Sequence, residues 1–216
     1  LDAEARETNY SYDNLHRLKT TQFVGDYDIN RFYDENGNLK RITDTAGNTN
    51  LEYNYDEFNR ALFEKNNLLG RQLNYFYDSY DQRIQLDQLK NEVGERSILY
   101  TYDPAGQLQT IQENNPLTGP LYDFDYRADG TREKFTRPNG ASTDYVYDSA
   151  KRLDDLINKR GDNETVSGFH YTYNRVSNRE SMDATLDGGL NYSVDYNYDP
   201  IDRLTNEIRT GNRPYE

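Results

Sequence analysis

An all-β chain of tandem hairpins is what this sequence predicts, and three observations predict it. One short phrase, aromatic-x-Tyr-Asp followed by a turn, is written nine times along 216 residues. Its second aromatic is Tyr in every copy: Tyr12, Tyr33, Tyr55, Tyr77, Tyr102, Tyr126, Tyr147, Tyr173 and Tyr198. The steps between them are 21, 22, 22, 25, 24, 21, 26 and 25 residues, so constant strands alternate with loops of uneven length. Residues 1–216 are therefore read as a single array of about nine repeats, which grows along one axis without a conventional core.

The segment from Leu39 to Asn59 reads as one unit. LKRIT is a strand, Asp44 to Asn48 a turn, TNLEYNYD a second strand and Asp56 to Asn59 the next turn. The array is then a long, curved antiparallel meander. Strand side chains alternate with period two, so Tyr-x-Tyr places both rings on one side of the sheet. The residues between them (Ser11, Phe32, Asn54, Phe76, Thr101, Asp125, Val146, Thr172 and Asn197) are mostly polar and are assigned to the wetter side.

The Asp column is Asp13, Asp34, Asp56, Asp78, Asp103, Asp148 and Asp199, with Arg127 and Asn174 in the remaining copies. Asp at the first turn position accepts a hydrogen bond from the backbone N–H two residues on. Three residues later stand His16, Gly37, Asn59, Asp81, Gly106, Gly130, Lys151, Ser177 and Asp202, six of them Gly, Asn or Asp, which best tolerate φ > 0. The two columns describe a type I turn closed by a left-handed residue. The next column, rich in Arg, Asn and Gln, is expected to cover the strand edge or pair with an Asp. Leu18, Leu39, Leu108, Leu153 and Leu204 then begin the return strand. A second class of turn is marked by Gly25, Gly47, Gly70, Gly94, Gly119, Gly140, Gly189 and Gly211, and the insertion Asn114 to Pro120 would place a loop along one rim.

Mean hydropathy of −1.13 and 34% apolar residues approach the disordered class. Tyrosine reverses that expectation, because 16 of the 21 tyrosines sit in the two aromatic columns. A net charge of −13 opposes binding to nucleic-acid phosphates or anionic membranes, and no apolar run is long enough to span a bilayer. Zero Cys excludes disulfides and thiolate metal sites.

The forms YNYDEFNRAL (Tyr53 to Leu62), YTYDPAGQL (Tyr100 to Leu108), YVYDSAKRL (Tyr145 to Leu153) and YNYDPIDRL (Tyr196 to Leu204) resemble the RHS or YD-repeat family. The resemblance implies a spiralling hairpin sheet that closes as a hollow shell. It also implies that bacterial members, such as toxin complexes and polymorphic toxins, enclose a toxin; teneurins are animal relatives. Nine repeats are too few to close a shell. The family's core segment with its self-cleaving Asp has no match, since Asp103-Pro104 and Asp199-Pro200 lie inside the repeats, so no protease or toxin activity is carried over.

Candidate chemistry is sparse. His16 falls in the turn column and His170 in a strand, and both are read as structural. A column that recurs in nine copies, Asp in seven of them, suits turn capping better than catalysis, which needs one special pair. The segment LDDLINKR (Leu153 to Arg160) could pass for a helix, but in register it is a return strand. The expected function is a structural shell segment enclosing or scaffolding a cargo polypeptide, secreted or at a cell surface, with no enzyme activity, cofactor or metal. The competing reading is a recognition module that binds glycan or a surface protein through its aromatics. Open first and last strands should pair with flanking repeats or with other copies. The two departures from the phrase, Arg31 for the first aromatic and Arg127 for the Asp, mark where a contact or a defect is expected.

Overall fold

The computed structural model describes residues 7–113, 121–189 and 191–211. Among the described residues there are eighteen strands, each antiparallel to the strands it pairs with, and a short 3-10 turn at Asp187–Gly189. They fall into two compact units that divide after Tyr100. The first carries β1 (Thr8–Tyr12), β2 (Leu18–Phe23), β3 (Asp28–Tyr33), β4 (Leu39–Asp44), β5 (Asn50–Tyr55), β6 (Ala61–Asn66), β7 (Arg71–Tyr77), β8 (Arg83–Lys90) and most of β9 (Val93–Tyr102). The second carries β10 (Leu108–Glu113, less Glu113), β11 (Leu121–Tyr126), β12 (Arg132–Thr136), β13 (Ser142–Tyr147), β14 (Leu153–Lys159), β15 (Thr165–Tyr173), β16 (Arg179–Leu186), β17 (Asn191–Tyr198) and β18 (Leu204–Gly211). Of the segment LDDLINKR, Leu153–Lys159 is strand β14, as its register requires, and Arg160 follows it.

The Tyr-Asp phrase closes a hairpin in all nine copies. The backbone N–H at the Asp position donates to the carbonyl four residues on, from Asp13 to Arg17 (2.9 Å) through Asp199 to Arg203 (2.9 Å). The N–H three residues on donates back to the carbonyl at the Asp position, as from His16 to Asp13 (3.0 Å). That third residue has positive φ in every copy, including His16 (60°), Lys151 (62°) and Ser177 (68°), residue types that adopt this backbone at a cost.

A bulge that the side-chain columns do not announce follows the turn. In eight hairpins, from β1–β2 to β17–β18, the return strand carries an extra residue opposite the second Tyr. Tyr55 pairs with Ala61 and Asn54 with Phe63, so Leu62 faces no partner. Such bulges increase local twist. They also bring the residue that starts the return strand onto the Tyr side, with the next same-side residue three positions on.

Between hairpins the register does not vary. The residue seven after the Asp position pairs with the residue four before the next one at all eight junctions: Thr20 with Asn30, Arg41 with Glu52, Phe63 with Asn74, Gln85 with Leu99, Thr110 with Asp123, Lys134 with Asp144, Asp155 with His170 and Ser181 with Asp195. All variation in repeat length is therefore absorbed by the loops opposite the Asp turns. Among those loops, Asn91 and Glu92 form a two-residue turn with both φ positive, and Gly94, expected in a turn, lies inside β9. Gly211 likewise ends β18, and Gly119 with the 114–120 insertion lies outside the described residues.

There is almost no core. Among the described residues only Ala184 and Val194 are fully buried apolar side chains. The second Tyr is half-buried in eight copies, whereas the residue before it is exposed in eight of nine. Stability must come from neighbour-to-neighbour contacts, which is the energetics of a repeat array.

Candidate functional site

The repeated residues meet at the junction between one hairpin and the next. The second Tyr hydroxyl donates to the backbone carbonyl that opens the preceding return strand: Tyr33 to Leu18 (2.8 Å), Tyr55 to Leu39 (3.0 Å), Tyr77 to Ala61 (3.0 Å), Tyr126 to Leu108 (2.9 Å), Tyr173 to Leu153 (2.7 Å) and Tyr198 to Arg179 (2.9 Å). Tyr therefore does what Phe could not. Its ring fills the sheet face while its hydroxyl satisfies a neighbour's backbone.

The Asp carboxylate organises its own turn. Its Oδ1 accepts from the N–H two and four residues on, as at Asp148 from Ala150 (2.8 Å) and Arg152 (2.9 Å). Where an Arg follows the turn, its Nε donates to the second carboxylate oxygen, at 2.7 Å for Arg17 to Asp13, Arg60 to Asp56 and Arg152 to Asp148. The held guanidinium then lies over the next repeat's Tyr ring, 4.5 Å from Tyr33, 4.6 Å from Tyr77 and 4.7 Å from Tyr173. It also reaches the next turn, as Arg152 Nη1 does to the Asn174 carbonyl (3.1 Å). Asn and Gln replace it with shorter links: Asn38 to Asn59 (2.7 Å), Gln107 to the Gly130 carbonyl (2.9 Å) and Asn178 to Asp202 (2.9 Å).

Backbone hydrogen bonding from Arg152, and then its side chain, holds the Asp148 carboxyl below the usual range, and the same donors from Arg17 and Arg203 lower Asp13 and Asp199. At Asp56 partial desolvation pushes upward, but the hydrogen bonds from Arg60 and Phe58 outweigh it. Carboxylates already committed to backbone donors and a guanidinium are poorly placed to relay protons. Asp34, Asp78 and Asp103 cap their turns in the same way, accepting from Asn38 (2.7 Å), Gln82 (3.0 Å) and Gln107 (2.8 Å).

Arg also enters the position that Leu holds in five copies, a role the repeat phrase alone does not reveal. Arg83 lies 4.7 Å from the Tyr100 ring, Arg132 5.2 Å from Phe124 and Arg179 4.4 Å from Tyr171. The available signal is Arg recurring at the Leu position of aromatic repeats, where a planar cation can replace an aliphatic side chain against rings.

The two departures from the phrase are compensated. At Arg127 the backbone turn persists, and Asp129 takes over the capping by accepting from the Thr131 N–H (3.1 Å) and hydroxyl (2.6 Å). Arg31, in place of the first aromatic, donates to the Thr21 hydroxyl (2.9 Å).

Away from the junctions, His170 Nδ1 bonds Asp155 at 2.9 Å, with Asp154 at 3.8 Å. The Asp155 hydrogen bond, followed by the charges of Asp155, Asp154 and Asp183, raises the His170 pKa. Asp154, Asp155 and His170 are the one His/carboxylate group with ion-ligand spacing among the described residues. His16 takes the left-handed position of its turn. In the first unit, Tyr75 donates to Glu64 (2.6 Å), and Glu64 lines an open groove with Leu51, Tyr53 and Leu73. Burial, and then Glu64, raises the Tyr75 pKa.

The class these features define is a tandem β-hairpin repeat protein locked by a Tyr-Asp phrase. More particularly, residues 33–118 match the family model described as Teneurin YD-shell, in agreement with the RHS/YD resemblance of the repeats. Similar solved structures include TcdB2-TccC3-TEV, at 13% identity over 98% of this chain and 15% of that one, with a TM-score of 0.47. The Tc holotoxin pore of Photorhabdus luminescens is similar at 14% identity over 94% of this chain and 15% of that one (TM-score 0.45). A porin-like protein from Bacteroides uniformis is similar at 14% identity over 98% and 92% (TM-score 0.37). The chain thus spans 15% of the length of the toxin-complex chains. No curated protein matches it. No helix among the described residues is long and apolar enough to cross a membrane.

Proposed function

We propose that this chain is a non-enzymatic wall segment: one array of nine YD hairpins, part of a secreted or cell-surface β-shell that encloses a cargo polypeptide, a toxin in the bacterial case. The observation that carries this reading is the constant register at eight junctions, with the repeat's Tyr, Asp and Arg groups spent on joining one hairpin to the next. A surface built for wall continuity contains by steric exclusion. The match of residues 33–118 to a family described as a shell supports it. The net charge of −13 favours a cargo with basic segments.

The test is cryo-electron microscopy of the full-length parent protein. The wall reading expects these strands to form one continuous face around polypeptide density. A solid or fully external array, with no space behind it, overturns the reading.

A further inference from the structure

One junction of the second unit carries a side-chain group that the repeat does not require. Asp155, seven residues after Asp148, pairs with His170, four residues before Asn174, across β14 and β15. His170 pairs in turn with Asp183 on β16. Asp154 is the extra residue of its bulge, passed over in the register because Tyr147 pairs with Leu153 and Val146 with Asp155. Neighbouring residues of a regular strand project to opposite faces. Here the bulge cancels that alternation, and both carboxylates reach one imidazole. Asp155 Oδ1 lies 2.9 Å from His170 Nδ1, and Asp154 Oδ1 lies 3.8 Å from it. One ligand atom from each of the three residues lies within 4.8 Å of the others. The corresponding bulge pairs elsewhere are Lys40-Arg41, Leu62-Phe63 or Glu180-Ser181 and their like, never two carboxylates, and no other copy faces them with His. A role in building the array would recur along it. This group occurs once among the described residues, and it sets like charges side by side on a sheet face, which is unfavourable for folding alone.

We propose that Asp154, Asp155 and His170 bind one divalent transition-metal ion of the zinc type, which clamps β14 to β15 on the face that carries Val146, opposite the Tyr145 and Tyr147 rings. Imidazole suits Zn²⁺ and its transition-metal neighbours, whereas Mg²⁺ and Ca²⁺ take oxygen ligands. Two ligands each about 2.1 Å from one ion stand about 3.0–3.4 Å apart. The 2.9 and 3.8 Å separations bracket that span. The neutral imidazole gives its Nδ1 lone pair to the ion and keeps its proton on Nε2. The ion thus replaces the His170–Asp155 hydrogen bond of the metal-free chain. Asp154, Asp155 and His170 are 38%, 36% and 47% exposed, which opens a path from solvent and leaves water to fill the remaining positions. The Asp183 carboxylate, accepting from Ser193 Oγ (2.5 Å), adds negative charge beside the site. The inference stands whether or not the wall encloses a cargo.

The experiment is isothermal titration calorimetry with ZnCl₂ at neutral pH on the untagged 216-residue chain, stripped of metal by a chelator that is then dialysed away. The chain should take up a single saturating ion, and MgCl₂ should give no saturable binding in the same range. His170→Ala and Asp154→Asn should each weaken Zn²⁺ binding about tenfold or more, since a lost ligand costs at least as much as a lost outer partner. Imidazole NMR reads the site directly, because the chain has two histidines: Zn²⁺ should shift the His170 signals and leave those of His16 in place. Far-UV circular dichroism checks folding. Should a variant unfold, the imidazole spectrum of the wild-type chain decides the matter. No saturable Zn²⁺ binding, or binding that MgCl₂ matches, overturns the inference. So does a folded His170→Ala chain that binds as the wild type does, or a His170 signal that Zn²⁺ leaves unmoved.

Discussion

Replacing Tyr173 by Phe removes one oxygen and leaves the ring. That oxygen donates to the Leu153 carbonyl at 2.7 Å, across the junction between the seventh and eighth hairpins. The ring stays beneath Arg152, whose guanidinium lies 4.7 Å from its centroid, so packing and the cation–π contact are retained. The loss is the net worth of one hydrogen bond, about 0.5–1.5 kcal/mol. Tyr173→Ala adds the lost ring and should cost about 3–5 kcal/mol. Tyr12→Phe is the control: Tyr12 is 59% exposed and has no preceding hairpin among the described residues, so it should stay within about 0.5 kcal/mol of wild type. Urea titration gives the midpoints, and hydrogen exchange around Leu153 and Tyr173 shows whether the loss is confined to the junction, as a nearest-neighbour array requires. A Tyr173→Phe variant as stable and protected as wild type, or one no worse than Tyr12→Phe, refutes the tether.

Acid should loosen the array through its turns. The carboxyls of Asp13, Asp56, Asp148 and Asp199 are held low in the folded chain, so their stabilisation is full above the unfolded value near ~3.9 and lost as pH falls through the folded values. Thermal melts from about pH 5 downward should fall, and Asp148→Asn, which keeps an acceptor as Asn174 does naturally, should make the fall shallower. His170 has the opposite sign. Its pKa is raised, so its contribution is full below about 6.5 and fades as pH rises through the folded value; His170→Gln should remove that slope, read by melts between about pH 6 and 8. His16→Gly, at φ 60°, should stabilise by about 0.5–1 kcal/mol in urea titration, because an L side chain is strained in that backbone.

The sequence exposes the side-chain columns and conceals the backbone between them. Tyr-x-Tyr sets the faces because period two is unambiguous, and Asp followed by a Gly-, Asn- or Asp-rich position marks the turn. His16, Lys151 and Ser177 share its positive φ although their residue types do not announce it. The turn's closing hydrogen bonds, which are backbone to backbone, impose the conformation. The bulge is hidden for a physical reason. Leu39 and Ile42, or Leu153 and Leu156, stand three apart, a spacing that suggests a helix unless one strand residue is looped out. The reach of Arg60 to the Tyr77 ring is not legible in the chain, because it joins residues in different hairpins and depends on the junction register.

Whether this array is a wall with polypeptide behind it can be measured directly by protease protection in the full-length parent protein. Behind a wall, the enclosed polypeptide should resist cleavage while the YD hairpins are folded. It should become cleavable over the same acid range in which the hairpins lose their β-sheet circular dichroism. Cleavage of that polypeptide at the rate of its free form, with the hairpins still folded, would contradict containment.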